Sequence, residues 1–276
     1  MNKIKRVLLL SHDFGGGFNL LLFSKYKLKN FIKDYYFIGP SQKVLNSKKI
    51  KNIKKLNFKK YKKIYYSLSW NNKIEKIIDK NKNFNEFKTY LVLDGWGDYK
   101  KKIFHKKKFI PDNIICLDKF SFSLSIKQNL NLKSKIIAYP DILFKEFKRI
   151  KTEKTKKTKL LYLTSPLIKK NKINMIKNYI FKYFKGKLEV RYHPKNSLKK
   201  IELLSKKLKN FEYVFGHYST ALIYSSVMGI KSFSINHTNL DIFKWKKLGV
   251  FNNFKINSIE KKKFNLAFKK IKDEYI

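Results

Sequence analysis

The sequence predicts an α/β protein built from two consecutive doubly wound halves, and three observations carry that expectation. Short apolar runs alternate with longer lysine-rich amphipathic segments from one end to the other. The runs are continuously apolar and not alternating, as strands covered on both faces must be. A wholly polar stretch, Lys151–Thr158, interrupts the rhythm and divides the chain into 1–150 and 151–276. A surface loop inside one domain would have the same composition. Each half is expected to be a Rossmann-like domain with a parallel sheet, the ligand-bearing strand ends of both facing a central cleft.

The elements follow in order. Strands are predicted at Val7–Ser11, Tyr35–Gly39, Ile64–Ser69, Tyr90–Asp94, Ile114–Asp118 and Ile136–Tyr139. Between them lie segments of helical spacing, such as Ile74, Ile77 and Ile78. In the second half the strands are Leu160–Leu163, Leu188–Tyr192, Tyr213–Phe215 and Ser232–Ile235. Helices are expected over Ile173–Phe184, Leu198–Leu208 and Thr220–Met228, with Asn171 and Ser197 as N-caps of the first two. Ser258–Ile271 reads as a closing helix that gathers Ile259, Phe264, Phe268 and Ile271 roughly on one face.

Composition narrows the class. Of 276 residues, 43% are hydrophobic and 16% aromatic, which excludes a disordered polyelectrolyte. No apolar run nears the roughly 18 residues that cross a bilayer, and Met1–Ser11 reads as a buried strand and not a secretion signal. A cytoplasmic protein, peripheral at the inner membrane, is expected. The single cysteine, Cys116, excludes an internal disulfide and a cysteine zinc site. The formal charge of +46 comes from lysine: Arg6, Arg149 and Arg191 are the only arginines among 65 basic residues. Lysine in excess alongside Asn, Ile, Phe and Tyr matches A/T-rich codon usage, and the lysines are spread along the chain. No specific nucleic-acid site is expected without arginine to read phosphate and base edges. Anionic ligands and an anionic membrane surface remain natural partners.

Four motifs follow predicted strands. Ser11-His12-Asp13-Phe14-Gly15-Gly16-Gly17 joins the first strand to a helix. Its glycines let backbone N–H groups approach a ligand, or simply make a tight turn. Asp94-Gly95-Trp96-Gly97-Asp98-Tyr99 places a candidate general base beside an aromatic suited to stacking on a sugar; ordinary turn chemistry with Trp96 in the core is the alternative. Arg191-Tyr192-His193-Pro194 ends a strand with proline, which fixes the backbone that aims His193. Gly216-His217-Tyr218-Ser219-Thr220 enters a helix whose N-terminus can bind phosphate, or merely be capped by Ser219 or Thr220. No D-x-D occurs, and the five histidines show no metal-ligand spacing, so no metal and no cofactor are expected.

Strand-end acid-Gly, then His-Pro, then Ser-Thr, in this order, resembles the bacterial GT-B sialyltransferases of the lipooligosaccharide and polysialyl types. Leu93 stands where that family carries a further acid. The resemblance implies a nucleotide-sugar donor, CMP-sialic-acid-like, and a glycan or glycolipid acceptor in lipopolysaccharide or capsule assembly. It implies Asp94 as the base on the acceptor hydroxyl and His193 as the group assisting departure of the nucleotide. Ser219 and Thr220, flanked by Gly216 and Pro194, would bind the phosphate. Gly15, Gly16, Gly17 and Trp96 form a candidate ligand loop. A sugar-nucleotide 2-epimerase or a polyol-phosphate transferase would use a similar site, and a non-catalytic polyanion- or membrane-binding protein would share the charge.

Overall fold

The computed structural model describes residues 5–69, 71–82, 84, 86–104, 109–148, 159–165, 170–193, 204–217, 219–235 and 247–259. The chain forms two compact units, Met1–Lys145 and Glu146–Ile276. The stretch 151–158, read as the linker, lies outside the described residues.

In unit 1 the strands are β1 (Arg6–Ser11), β2 (Ile32–Phe37), β3 (Lys63–Ser67), β4 (Lys88–Val92), β5 (Asn113–Cys116) and β6 (Lys135–Ala138). They form one sheet in the order β2-β1-β3-β4-β5-β6, with every pair parallel. The chain turns outward in opposite directions from β1, so the crevice between the carboxyl ends of β1 and β3 is where a ligand belongs in such a sheet. Val7, Leu8, Leu9 and Leu10 are buried on both faces of the sheet, which is why this run is continuously apolar. Helices α1 (Phe14–Lys27), α2 (Gln42–Ser47), α3 (Lys73–Lys82), α4 (Tyr99–Phe104), α5 (Lys119–Lys127) and α6 (Ile142–Lys148) connect or follow the strands. Ile74 and Ile78 turn the apolar face of α3 inward, as their spacing predicts.

Unit 2 has β7 (Lys159–Leu163), β8 (Lys187–Arg191), β9 (Tyr213–Gly216), β10 (Lys231–Ile235) and β11 (Ile256–Ile259). Their order is β11-β10-β9-β7-β8, again all parallel, with the switch point between β7 and β9. The described helices are α7 (Lys170–Tyr183), α8 (Leu204–Leu208), α9 (Thr220–Val227) and α10 (Val250–Asn253). Tyr162, Ile176, Ile180, Phe215 and Ile235 form the core between sheet and α7. Phe184 fits edge-on against Phe215 and Phe233, with ring centroids 4.7 and 5.2 Å away.

Some local expectations change. Ser258 and Ile259 belong to strand β11, paired with Ser234 and Ile235, and do not start a helix. Here strand pairing overrides a helical spacing whose remaining members, 264, 268 and 271, lie outside the described residues. Asn171 is inside α7 and is not its N-cap. Of the helix expected over Leu198–Leu208, only Leu204–Leu208 is described, and Ser197 lies outside the described residues. Gly15, Gly16 and Gly17 sit in the first turn of α1, not in a loop ahead of it.

Candidate functional site

At the strand ends of unit 1, Asp94 follows β4 by two residues. Leu93 still hydrogen-bonds to the Ile115 carbonyl, and Asn19 of α1 donates to the Leu93 carbonyl at 3.3 Å. Gly95 then takes φ +74°, a left-handed backbone that only glycine adopts without cost, and the chain turns sharply. The loop beyond is tied down. Tyr99 donates to the Gly95 carbonyl at 2.7 Å, and Gln128 donates to the Gly97 carbonyl at 3.0 Å. Trp96 is 2% exposed and donates its indole N–H to Asp118 at 3.3 Å. Its ring is therefore part of the core that anchors the loop, and is not presented as a surface for a sugar to stack on.

The glycines of α1 explain how Asp94 is approached. A Cβ on Gly16 would lie 2.4 Å from Ser67 Oγ and 3.1 Å from Asp94 Oδ2, so the first turn of α1 fits over both only without a side chain. Gly17 is similarly pressed against Ser41, 2.9 Å from its Cβ. Gly15 is different: it is exposed, and a Cβ there would meet nothing within 4 Å. Below this turn Ser11 and Ser67 join the ends of β1 and β3 through a 2.8 Å hydroxyl pair.

Asp94 remains partly reachable by solvent but is packed deeply enough that burial pushes its carboxyl up to about 7. Lys102 opposes that shift, whereas the carboxylates of Asp13 and Glu75 add to it. Asp13 is held by its neighbour, His12 Nδ1 lying 2.9 Å from Asp13 Oδ1. Glu75 is buried and accepts two bonds from Ser69, one from the backbone N–H at 3.1 Å and one from the hydroxyl at 2.6 Å. A carboxyl poised near neutrality can accept a proton from a hydroxyl and release it again.

In unit 2, His193 lies two residues beyond β8. Its backbone N–H donates to Thr164 Oγ1 at 3.0 Å, and Thr164 N–H donates to the Arg191 carbonyl, so the ends of β7 and β8 are clasped by one residue. Pro194 lies outside the described residues. The β9–α9 corner is fixed by His217. Its Nδ1 faces the Ile235 carbonyl at 3.1 Å and must be the donor, which leaves Nε2 to accept from the Tyr162 hydroxyl at 2.9 Å. Burial pushes that phenol well up, so it stays a donor at any ordinary pH. Ser219 is the N-cap of α9, accepting from Ala221 N–H at 3.3 Å, and Thr220 opens the helix.

Among the described residues, one polar atom here has no partner. Ser234 is 1% exposed, and its hydroxyl makes no hydrogen bond. Phe233 and Ile235 pack toward α7, so Ser232 and Ser234 face α9, and Ser232 bonds to Ser225 of that helix at 2.7 Å. Two residues further along a strand, at about 3.3 Å each, Ser234 comes level with the first turn of α9.

Sequence reasoning singled out Asp94, His193, Gly216, Ser219 and Thr220. Within unit 1 the fold brings Asp94 to Gly16; within unit 2 it sets Gly216, Ser219 and Thr220 on one corner. It adds Ser67, Asp13 and Glu75 around Asp94, and Thr164 and Ser234 in unit 2. Ser67 and Thr164 stand at or directly after the last residue of a buried run, the one signal that could have found them. Among the described residues no group of three or more His, Cys, Asp or Glu could hold a metal ion.

No known protein family and no curated protein matches the chain by sequence. Solved structures do resemble it. The UDP-GlcNAc 2-epimerase from Methanocaldococcus jannaschii aligns with a TM-score of 0.57 at 11% identity, over 96% of this chain and 92% of that one. The glycotransferase of kitacinnamycin aligns at 0.56 and 7% identity, over 93% and 86%. The wall teichoic acid polymerase TagF gives 0.48 at 10% identity, over 84% and 70%. At such identities the first two show the fold: two Rossmann-like α/β domains of the GT-B type.

Proposed function

We propose that this chain is a nucleotide-sugar enzyme, a metal-independent inverting glycosyltransferase with a CMP-sialic-acid-like donor. The observation that carries the reading is Asp94: a strand-end carboxyl with a proton affinity near neutrality, packed against the glycine turn that opens α1. Asp94 takes the proton of the acceptor hydroxyl as that oxygen attacks the anomeric carbon. The bond from that carbon to the phosphate oxygen breaks, and its electron pair leaves with the nucleotide. The Ser219–Thr220 start of α9, with Ser234 beneath it, binds the departing phosphate, and His193 donates a hydrogen bond or proton to it. The acceptor is a glycan or glycolipid of surface-polysaccharide assembly, made on the cytoplasmic side of the membrane.

A second reading has an observation of its own. Two further carboxylates, Asp13 and Glu75, act on Asp94 through space, as suits a reaction needing both an acid and a base, and one similar structure is a 2-epimerase. The deciding experiment incubates the protein with CMP- and UDP-sugars, with and without an acceptor glycan. Nucleotide release that requires acceptor, and is lost in Asp94→Asn, supports transfer. Isomerised sugar nucleotide without acceptor overturns transfer in favour of epimerisation. Wild-type turnover by Asp94→Asn removes Asp94 as the base.

A further inference from the structure

Helix α5 is covered on one side only. Ser121, Leu124 and Ser125 are buried against the sheet, as a surface helix requires. Its outer side should be polar, yet Phe122 and Ile126, one turn apart, are 37% and 42% exposed. The 3₁₀ turn that follows, Leu130–Leu132, adds a third exposed apolar side chain, Leu132 at 77%. Lys119, Lys127 and Lys133 are exposed cations of the same segment, the Lys133 ammonium lying 5.1 Å from the centre of the Phe104 ring. No acid occurs between Asp118 and Asp141, and Asp118 is itself buried, its carboxylate taken up by Ser121 N–H and Trp96.

We propose that this face, α5 with the turn after it, docks the protein on an anionic phospholipid bilayer. Apolar side chains with lysines beside them are what lets a short helix lie in a headgroup layer: the tips enter the acyl boundary and the ammonium groups meet lipid phosphate. A second copy of this chain is a poor occupant, because a two-fold contact would set the same lysines against each other, and the segment between Asp118 and Asp141 carries no carboxylate to offset them. A nucleic acid would have no use for Phe122, Ile126 and Leu132. Docking here also steadies the reaction loop, since Asp118 at the head of α5 holds Trp96 and Gln128 at its foot holds Gly97. The face stands apart from the transfer chemistry, which a lipid-borne acceptor would nevertheless exploit.

With so many lysines the protein will adhere loosely to any anionic vesicle, so the test must isolate the apolar contribution. An environment-sensitive fluorophore is attached at Ile126→Cys and, as a control, at Phe181→Cys in α7, another exposed apolar position at 48%. Vesicles are phosphatidylcholine alone or mixed with phosphatidylglycerol, and salt is raised until simple charge adhesion is screened. The expected result is a blue shift at 126 and none at 181, with the mixed vesicles only. Phe122→Ser/Ile126→Ser/Leu132→Ser should lower partition about tenfold with net charge, nucleotide stabilisation and circular dichroism unchanged. Equal shifts at both positions, or undiminished partition of the triple variant, overturn the proposal. So does a dimer that the triple substitution dissolves. The labelled single variants decide the matter if the triple variant does not fold.

Discussion

Replacing Asp94 by Asn should stabilise the protein, and increasingly so as pH rises. The carboxyl is lifted from 3.8 to about 7, with burial the largest cause. Between those values the folded chain holds a proton that the unfolded chain has released, so wild-type stability falls with rising pH and levels off above about 7. At 1.36 kcal/mol per pKa unit the full fall is about 4 kcal/mol. Water that reaches the partly open side chain screens some of it, and about 2 kcal/mol is the expected gap by pH 8. The Asn amide carries no titrating proton, and its profile should lack the fall. Urea denaturation of both proteins from pH 4 to pH 8.5 measures this directly. Parallel profiles would refute the reasoning, because they would mean that Asp94 is ionised at ordinary carboxylate pH and is not poised as a base.

Other substitutions test the remaining contacts. Gly16→Ala should cost about 1–3 kcal/mol by denaturation, since the added methyl would meet Ser67 Oγ at 2.4 Å; an unchanged midpoint would mean α1 can shift away. Ser234→Ala should leave stability unchanged or raise it by up to about 1 kcal/mol, because its buried hydroxyl has no partner among the described residues. The same variant should also reduce thermal stabilisation by nucleotide. Tyr162→Phe should cost about 1–2 kcal/mol at pH 8 by removing the hydroxyl from which His217 Nε2 accepts; no cost would remove the assigned tautomer.

Much of the fold was legible because buried parallel strands are written as uninterrupted apolar runs. Even so, most strands start earlier than their apolar stretch, often on a lysine such as Lys63, Lys88 or Lys135, because ladder pairing begins before burial does. β11 was missed: Ile256-Asn257-Ser258-Ile259 has too little apolar content to stand out, and it exists because β10 offers an edge. Asp94 was legible through its glycine and its position after a strand. Its surroundings were not, since Asp13, Ser67 and Glu75 come from three separate segments that only the sheet order brings together. Trp96 shows where residue type alone leaves two answers open: beside a candidate base it could stack on a sugar or sit in the core, and the ring is spent on anchoring the loop. His217 carries a similar lesson. Nothing in the sequence marks His217 as structural, yet Tyr162 and Ile235 engage both its nitrogens.

The most direct test of the central claim, that unit 2 holds the phosphate of a nucleotide, is a thermal melt with CMP, CDP, UDP, GDP and inorganic phosphate at moderate salt. A ligand at a hundred times its dissociation constant adds about 2.7 kcal/mol. Selective stabilisation by CMP, diminished in His193→Ala, is the expected result. A preference for UDP or CDP would keep the nucleotide site and contradict the donor. Equal small shifts with every anion, unchanged in His193→Ala, would contradict the site itself and leave only the charge of the surface.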